Sequence, residues 1–103
     1  MKYALVTGGS RGIGRAVSVK LASMGYTVIV NFVSNETEAQ KTLELIREVG
    51  SNGELLKFDV ADNAAACKAI ETWQDAHPDN YIEVLVNNAG IRRDNLMIFM
   101  EPE

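Results

Sequence analysis

The residues of this 103-residue chain whose types and spacing suit chemistry lie near its start, in Thr7-Gly8-Gly9-Ser10-Arg11-Gly12-Ile13-Gly14. Gly8 permits a sharp turn, Gly12 a close approach of backbone to a ligand, and Gly14 the packing of a following helix near the preceding strand. The chemistry offered is anion binding: exposed amides and the positive end of a helix dipole face whatever phosphate lies there. Glycine spacing by itself is a weak signal, because a turn can be only a turn. No Gly-Lys-Ser/Thr ending follows, so the pattern does not describe a loop for a nucleoside triphosphate and magnesium.

The elements needed to hold such a turn are present on both sides. Tyr3, Ala4, Leu5 and Val6 form a nearly continuous apolar run, as in a parallel strand covered on both faces. Ile13, Val17, Leu21 and Met24 recur at helical spacing and predict one inward helix face. Gly25 stops that helix, and residues 26–32, rich in β-branched and aromatic side chains, predict a second strand. Asn35 with Glu38 predicts a capping box for a helix reaching Val49, with Ala39, Leu43 and Ile46 inward. Residues 54–58 predict a third strand leading into Asp59-Val60. Asp62 or Asn63 then caps a helix with Ala66, Ile70 and Trp73 on one face, stopping before Pro78. Residues 81–86 predict a fourth strand that ends in Asn87-Asn88-Ala89-Gly90, followed by a loop and an apolar run over 96–100.

Strand and helix alternate strictly, which implies a parallel sheet with right-handed crossovers. The expected fold class is α/β: a Rossmann-type doubly wound sheet of order 3-2-1-4, with a ligand at the carboxyl ends of the strands. As read, the sheet stops after the fourth strand with an open apolar edge. The expectation is therefore that residues 1–103 are the N-terminal, cofactor-binding part of a single Rossmann domain whose remainder lies outside this sequence.

Composition narrows the partners. With 47% hydrophobic and 23% charged residues the chain is globular, and a net charge of −4 with scattered basic residues gives nucleic acid no electrostatic footing. No apolar run approaches membrane-spanning length and no signal peptide is read, so the expected setting is cytoplasmic. The single cysteine, Cys67, within the helical pattern of 64–69, reads as a small buried side chain. His77 has no Cys, Asp or second His at ligand spacing, and no metal is expected. Trp73, Met97 and Met100 read as packing residues.

Four features taken together, the turn at 7–14, Asp59-Val60 after the third strand, Asn87-Asn88-Ala89-Gly90 after the fourth, and the order of elements, resemble the short-chain dehydrogenase/reductase family along the whole chain. Within it, Ser10-Arg11-Gly12-Ile13-Gly14-Arg15-Ala16 and Asn88-Ala89-Gly90-Ile91 with Arg93-Asp94-Asn95-Leu96 are similar to bacterial beta-ketoacyl-acyl-carrier-protein reductases. Acetoacetyl-CoA reductases and sugar or steroid dehydrogenases are near neighbours. The resemblance implies NADPH-dependent reduction of a 3-oxoacyl thioester, carried on acyl carrier protein, in fatty-acid elongation, by a homo-oligomer, a tetramer in the family. The alternatives are a non-catalytic dinucleotide-binding module and a short-chain reductase for another carbonyl or alcohol.

The resemblance also implies site roles. The turn residues Gly8, Gly9, Ser10, Arg11, Gly12, Ile13 and Gly14 would hold the cofactor phosphates. Asp59 would accept from the adenine amino group and the Val60 amide would donate to a ring nitrogen, against a bland reading of Asp59 as a turn residue. Asn88 and Gly90 would lie beside the ribose, and Asn87 would be structural. NAD enzymes of this design place Asp or Glu at the end of the second strand; Asn31 stands there, and Arg11 can reach a 2′-phosphate, so NADP(H) is expected over NAD(H). Ser34 and Asn35 read as caps, and Arg92 and Arg93 as ion-paired loop residues, with contact to an acidic carrier as the alternative. The family's proton donor, from a Tyr-x-x-x-Lys helix, has no match: Tyr3, Tyr26 and Tyr81 are followed four residues later by Thr7, Val30 and Leu85. No catalytic residue is assigned, and the segment alone is expected to be inactive.

Overall fold

A computed structural model describes residues 2–8, 12–88 and 98–100, the last three as backbone only. Among the described residues, five strands and three helices follow in the order β1 (Tyr3–Thr7), α1 (Gly12–Ser23), β2 (Thr27–Phe32), α2 (Glu36–Glu48), β3 (Gly53–Lys57), α3 (Asn63–Ala76), β4 (Ile82–Asn87) and β5 (Ile98–Met100). The sheet order is β3-β2-β1-β4-β5. The first four strands are parallel and reproduce the expected 3-2-1-4 arrangement.

The β4 edge differs from the sequence reading, which left it open. β5 pairs with it antiparallel, Val84 opposite Met100 and Val86 opposite Ile98. Three apolar residues after a loop carry too little periodicity to be told from any other short apolar run.

β1 lies at the centre, buried along all five residues, as a strand flanked on both edges and covered on both faces must be. Ala4, Val6, Val28, Val30, Phe32, Val84 and Val86 point to one face, where Ala22 of α1 and Ala39, Leu43 and Ile46 of α2 cover them. Tyr3, Leu5 and Ile29 point to the other, against Trp73, with Ala66, Ala69 and Ile70 of α3 packed alongside. The sheet is thus wound on both faces.

Caps set the helix starts. The Asn35 side chain accepts from the Glu38 amide and the Asp62 side chain from the Ala65 amide, each taking one of the donors that a first helical turn leaves unpaired. Only half of the capping box forms, because the Glu38 carboxylate is engaged by Arg15 of α1 at 2.8 Å and by Lys41 at 3.3 Å.

Two expectations of burial are corrected. In α1 the residues buried against the sheet are Gly14, Ser18 and Ala22, one small residue per turn, while Ile13 and Met24 are more than half exposed; Val17 and Leu21 keep partial contact with the core. Small side chains let the helix lie close to the strands, and Ser18 satisfies its buried hydroxyl by donating to the Gly14 carbonyl at 2.8 Å. Cys67 is exposed, because the inward stripe of α3 runs through Ala66, Ala69, Ile70 and Trp73.

Candidate functional site: the carboxyl end of the parallel sheet

The site is built where β1 ends. Gly8 follows the strand with φ 64°, a left-handed conformation that turns the chain toward α1 and that a side chain would disfavour. Gly12 opens α1 with φ 63°, and the first turn of the helix carries no acidic residue. The fit between turn and helix is close: a Cβ on Gly14 would lie 2.0 Å from the Gly8 carbonyl oxygen and 2.9 Å from Asn88 Nδ2. No side chain fits there, so α1 can begin flush against the turn only with glycine at this position.

Side chains from the neighbouring strands hold the turn. The Gly8 amide donates to Asn31 Oδ1 at 3.0 Å, and Asn88 Nδ2 donates to the Gly8 carbonyl at 3.3 Å. The Thr7 hydroxyl lies 3.3 Å from the Val86 carbonyl and 3.2 Å from Asn87 Oδ1, tying the ends of β1 and β4. Asn87 is structural, as expected, its carboxamide oxygen accepting from the Thr7 hydroxyl between the two strands.

Asn31 sits differently from the sequence reading. The sequence predicts a part in choosing the cofactor at the end of β2, yet Asn31 is fully buried, and its Nδ2 donates to the Leu56 carbonyl at 3.2 Å and the Phe58 carbonyl at 2.9 Å. With acceptor and donors all engaged inside the protein, its side chain is not presented to a ligand. The position exposed beyond the strand is Val33, followed by Ser34 and the α2 cap Asn35.

Asp59 is exposed just past β3, and its Oδ1 accepts the Ala61 amide at 2.9 Å, the turn role that acidic residues commonly take. Val60 is half-buried against the Tyr3–Trp73 cluster. Ile13 projects outward beside the helix start, and Asn88 is half-buried at the turn. Gly9, Ser10, Arg11 and Gly90 lie outside the described residues, as do Arg92, Arg93 and the side chains of Met97 and Met100.

Arg15 is the residue that sequence reasoning passed over. From the second turn of α1 its Nε donates to Thr42 Oγ1 at 3.0 Å, and its terminal nitrogen to the Glu38 carbonyl at 2.9 Å and carboxylate at 2.8 Å. The hydrogen bond from Arg15, then that from Lys41, holds the Glu38 carboxyl below the usual carboxylate range. A charge just after the last glycine of the motif gives no sequence signal for such a partner, since Glu38 is distant in the chain. The pairing fixes α1 against α2 close to the helix start.

These features fit a phosphate-bearing ligand. A helix N-terminus without acidic residues, two left-handed glycines and a turn clamped by amides lie at the carboxyl ends of β1 and β4, where parallel sheets bind nucleotides. Among the described residues, no group of three or more His, Cys, Asp and Glu could hold a metal ion, and no helix is long and apolar enough to cross a membrane.

Known proteins are similar to this chain. A 3-oxoacyl-[acyl-carrier-protein] reductase FabG of Staphylococcus aureus is 41% identical over 102 residues, which is 99% of this chain and 41% of that protein. The short-chain dehydrogenase/reductase homolog YusS of Bacillus subtilis is 39% identical over 92 residues, 89% of this chain and 83% of that one. A metagenomic short-chain oxidoreductase solved in complex with NADP superposes with a TM-score of 0.77 at 33% identity, covering 87% of this chain and 39% of that structure. The chain thus spans about two fifths of the length of the FabG enzyme and most of YusS. The model of the short chain dehydrogenase family matches residues 2–103, and the chain belongs to that family.

Proposed function

We propose that this chain is the NADP(H)-binding part of a cytoplasmic short-chain reductase that converts a 3-oxoacyl thioester, carried on acyl carrier protein, to the 3-hydroxyacyl thioester. The observation that carries the cofactor reading is the clamped Gly8 turn closed on Gly14 of α1. Bound there, the nicotinamide cofactor would supply a hydride to the substrate carbonyl.

The chain's own residues bind and orient. Gly8 to Gly14, with the α1 N-terminus, would receive the phosphates, and Arg11 would meet the 2′-phosphate. Asp59 and Val60 would hold the adenine, with the exposed Asp59 carboxylate accepting from its amino group. Asn88 and Gly90 would lie beside the ribose. The support for a 3-oxoacyl substrate is the likeness to FabG, and the same likeness is the support for a carrier-protein partner and for a homo-oligomer. No tyrosine of the 103 residues has a lysine four positions on. We therefore assign this chain cofactor binding and no proton donor, and expect residues 1–103 alone to be inactive.

The experiment is a fluorescence titration with NADPH and NADH, on the protein and on Arg11→Ala. A charge-assisted contact to the 2′-phosphate is worth about 1.5–3 kcal/mol, so the variant should lose about ten- to a hundredfold in NADPH affinity and little in NADH affinity. An unchanged ratio would remove Arg11 from the assignment; no binding of either nucleotide would remove the cofactor reading.

A further inference from the structure

We propose that Asn31 is a positioning residue that couples the phosphate-binding turn after β1 to the adenine-side segment after β3, without touching the nucleotide. The proposal rests on the cofactor reading above. The backbone pairing of β1 with β2 ends at Val6 opposite Val30, and the next donor along β1's continuation, the Gly8 amide, is taken by Asn31 Oδ1 at 3.0 Å. Nδ2 faces the other way, donating to the Leu56 carbonyl within β3 and to the Phe58 carbonyl immediately before Asp59, with the Phe32 carbonyl of its own strand a longer third acceptor at 3.4 Å. One carboxamide therefore spans β2 and joins two strands that are not neighbours in the sheet.

Only this group fits the pattern at this size. The Gly8 side needs an acceptor and the β3 side needs two donors, which a carboxamide supplies from its two ends. An aspartate of the same shape accepts the Gly8 amide but turns lone pairs and a charge toward two carbonyls. A serine has one proton and less reach. Because Asn31 is fully buried, groups that lose it have no water to replace it. Gly8, bonded by Asn31 on its amide and by Asn88 on its carbonyl, is the residue against which Gly14 closes; movement of Gly8 is thus movement of the α1 N-terminus.

A residue that met the 2′-phosphate would set the preference between NADPH and NADH. A residue that places the turn and the Asp59 segment changes both affinities together, since phosphates and adenine are common to the two nucleotides. The test measures dissociation constants for NADPH and NADH by fluorescence, well below the melting transition, on the wild-type protein, N31D and N31S, with folding checked by circular dichroism. The expected result is a loss of about ten- to a hundredfold for both nucleotides in both variants, as for a buried partner left unpaired, with the NADPH-to-NADH ratio unchanged. Unchanged affinities in a folded variant, or a shifted ratio, overturn the proposal while leaving the cofactor reading intact. A wild-type protein that binds neither nucleotide overturns both. Should neither variant fold, hydrogen exchange of the wild-type Gly8 amide decides: slow exchange is expected, and exchange at the rate of an open amide overturns the proposal.

Discussion

The two ends of the parallel sheet are built from different materials. At the carboxyl end, Gly8, Gly14, Asn31 and Asn88 make a polar, hydrogen-bonded turn with almost no apolar side chain in it. At the amino end, Tyr3, Trp73 and His77 form an aromatic cluster: Tyr3 meets Trp73 edge to face with centroids 4.8 Å apart, and Trp73 stacks on His77 at 4.2 Å. Glu54 of β3 closes that cluster, accepting from Trp73 Nε1 at 3.0 Å and lying 3.6 Å from His77 Nε2. Apolar area stabilises the amino end, whereas the carboxyl end gives up apolar packing to keep amides and a helix start open to a ligand. Damage to one should appear chiefly in stability, and damage to the other chiefly in binding.

The largest stability effect is expected at Trp73. Trp73→Ala removes a buried aromatic side chain from three ring and hydrogen-bond contacts, and should cost about 3–5 kcal/mol in denaturant unfolding. Nucleotide affinity, measured where the variant is still folded, should be unchanged. Gly14→Ala should lower stability by about 1–3 kcal/mol through overpacking, yet abolish measurable NADPH binding, because α1 has to withdraw from Gly8 to admit the methyl group. If Gly14→Ala binds NADPH normally, the close seating of α1 is not what makes the site. His77→Ala, which removes the stacked ring with its contacts to Glu54 and the Trp73 carbonyl, should cost about 1 kcal/mol and leave binding alone.

Opposite extremes of pH should loosen the two ends separately. Arg15 and Lys41 hold the Glu38 carboxyl below its ordinary value of 4.5, so below that pH the unfolded chain takes up the proton first. The α1–α2 tie is whole near neutrality and is lost as pH falls from 4.5 through the lower folded value. Tyr3 behaves conversely. Burial, then the Glu54 charge, pushes its hydroxyl above 10.0, so stability is whole below that pH and is lost as pH rises through the folded value. Denaturant curves across pH, with Glu38→Gln and Tyr3→Phe as controls, check both: each substitution should flatten its own limb and leave the other.

Much of this division was legible in the residues. The four parallel strands and the three helices follow from alternating periodicity and the order 3-2-1-4 from the phosphate-binding turn after the first strand, while the caps are Asn35, as expected, and Asp62, one of the two candidates for its helix. Gly14 was read as a packing glycine, and the geometry supplies the reason in the Gly8 carbonyl. What periodicity missed was rotation and partnership. Ile13 was placed on the inward face of α1 because it is apolar, but a helix this close to the sheet turns Gly14, Ser18 and Ala22 inward. Cys67 failed for a related reason, being next to the buried stripe of α3 rather than on it. Asn31 was located correctly at the end of β2, yet its partners Gly8, Leu56 and Phe58 come from two other segments, and no local pattern announces them. Arg15 with Glu38 is the same lesson in charge.

The carboxyl end alone is expected to receive the dinucleotide. The most direct measurement is amide chemical-shift mapping of the isotopically labelled protein during titration with NADPH. Saturable shifts are predicted at Gly8, Gly12, Asp59, Val60 and Asn88, with Glu54, Trp73 and His77 unmoved. Shifts centred on the Trp73 cluster, or none at saturating NADPH, would contradict it.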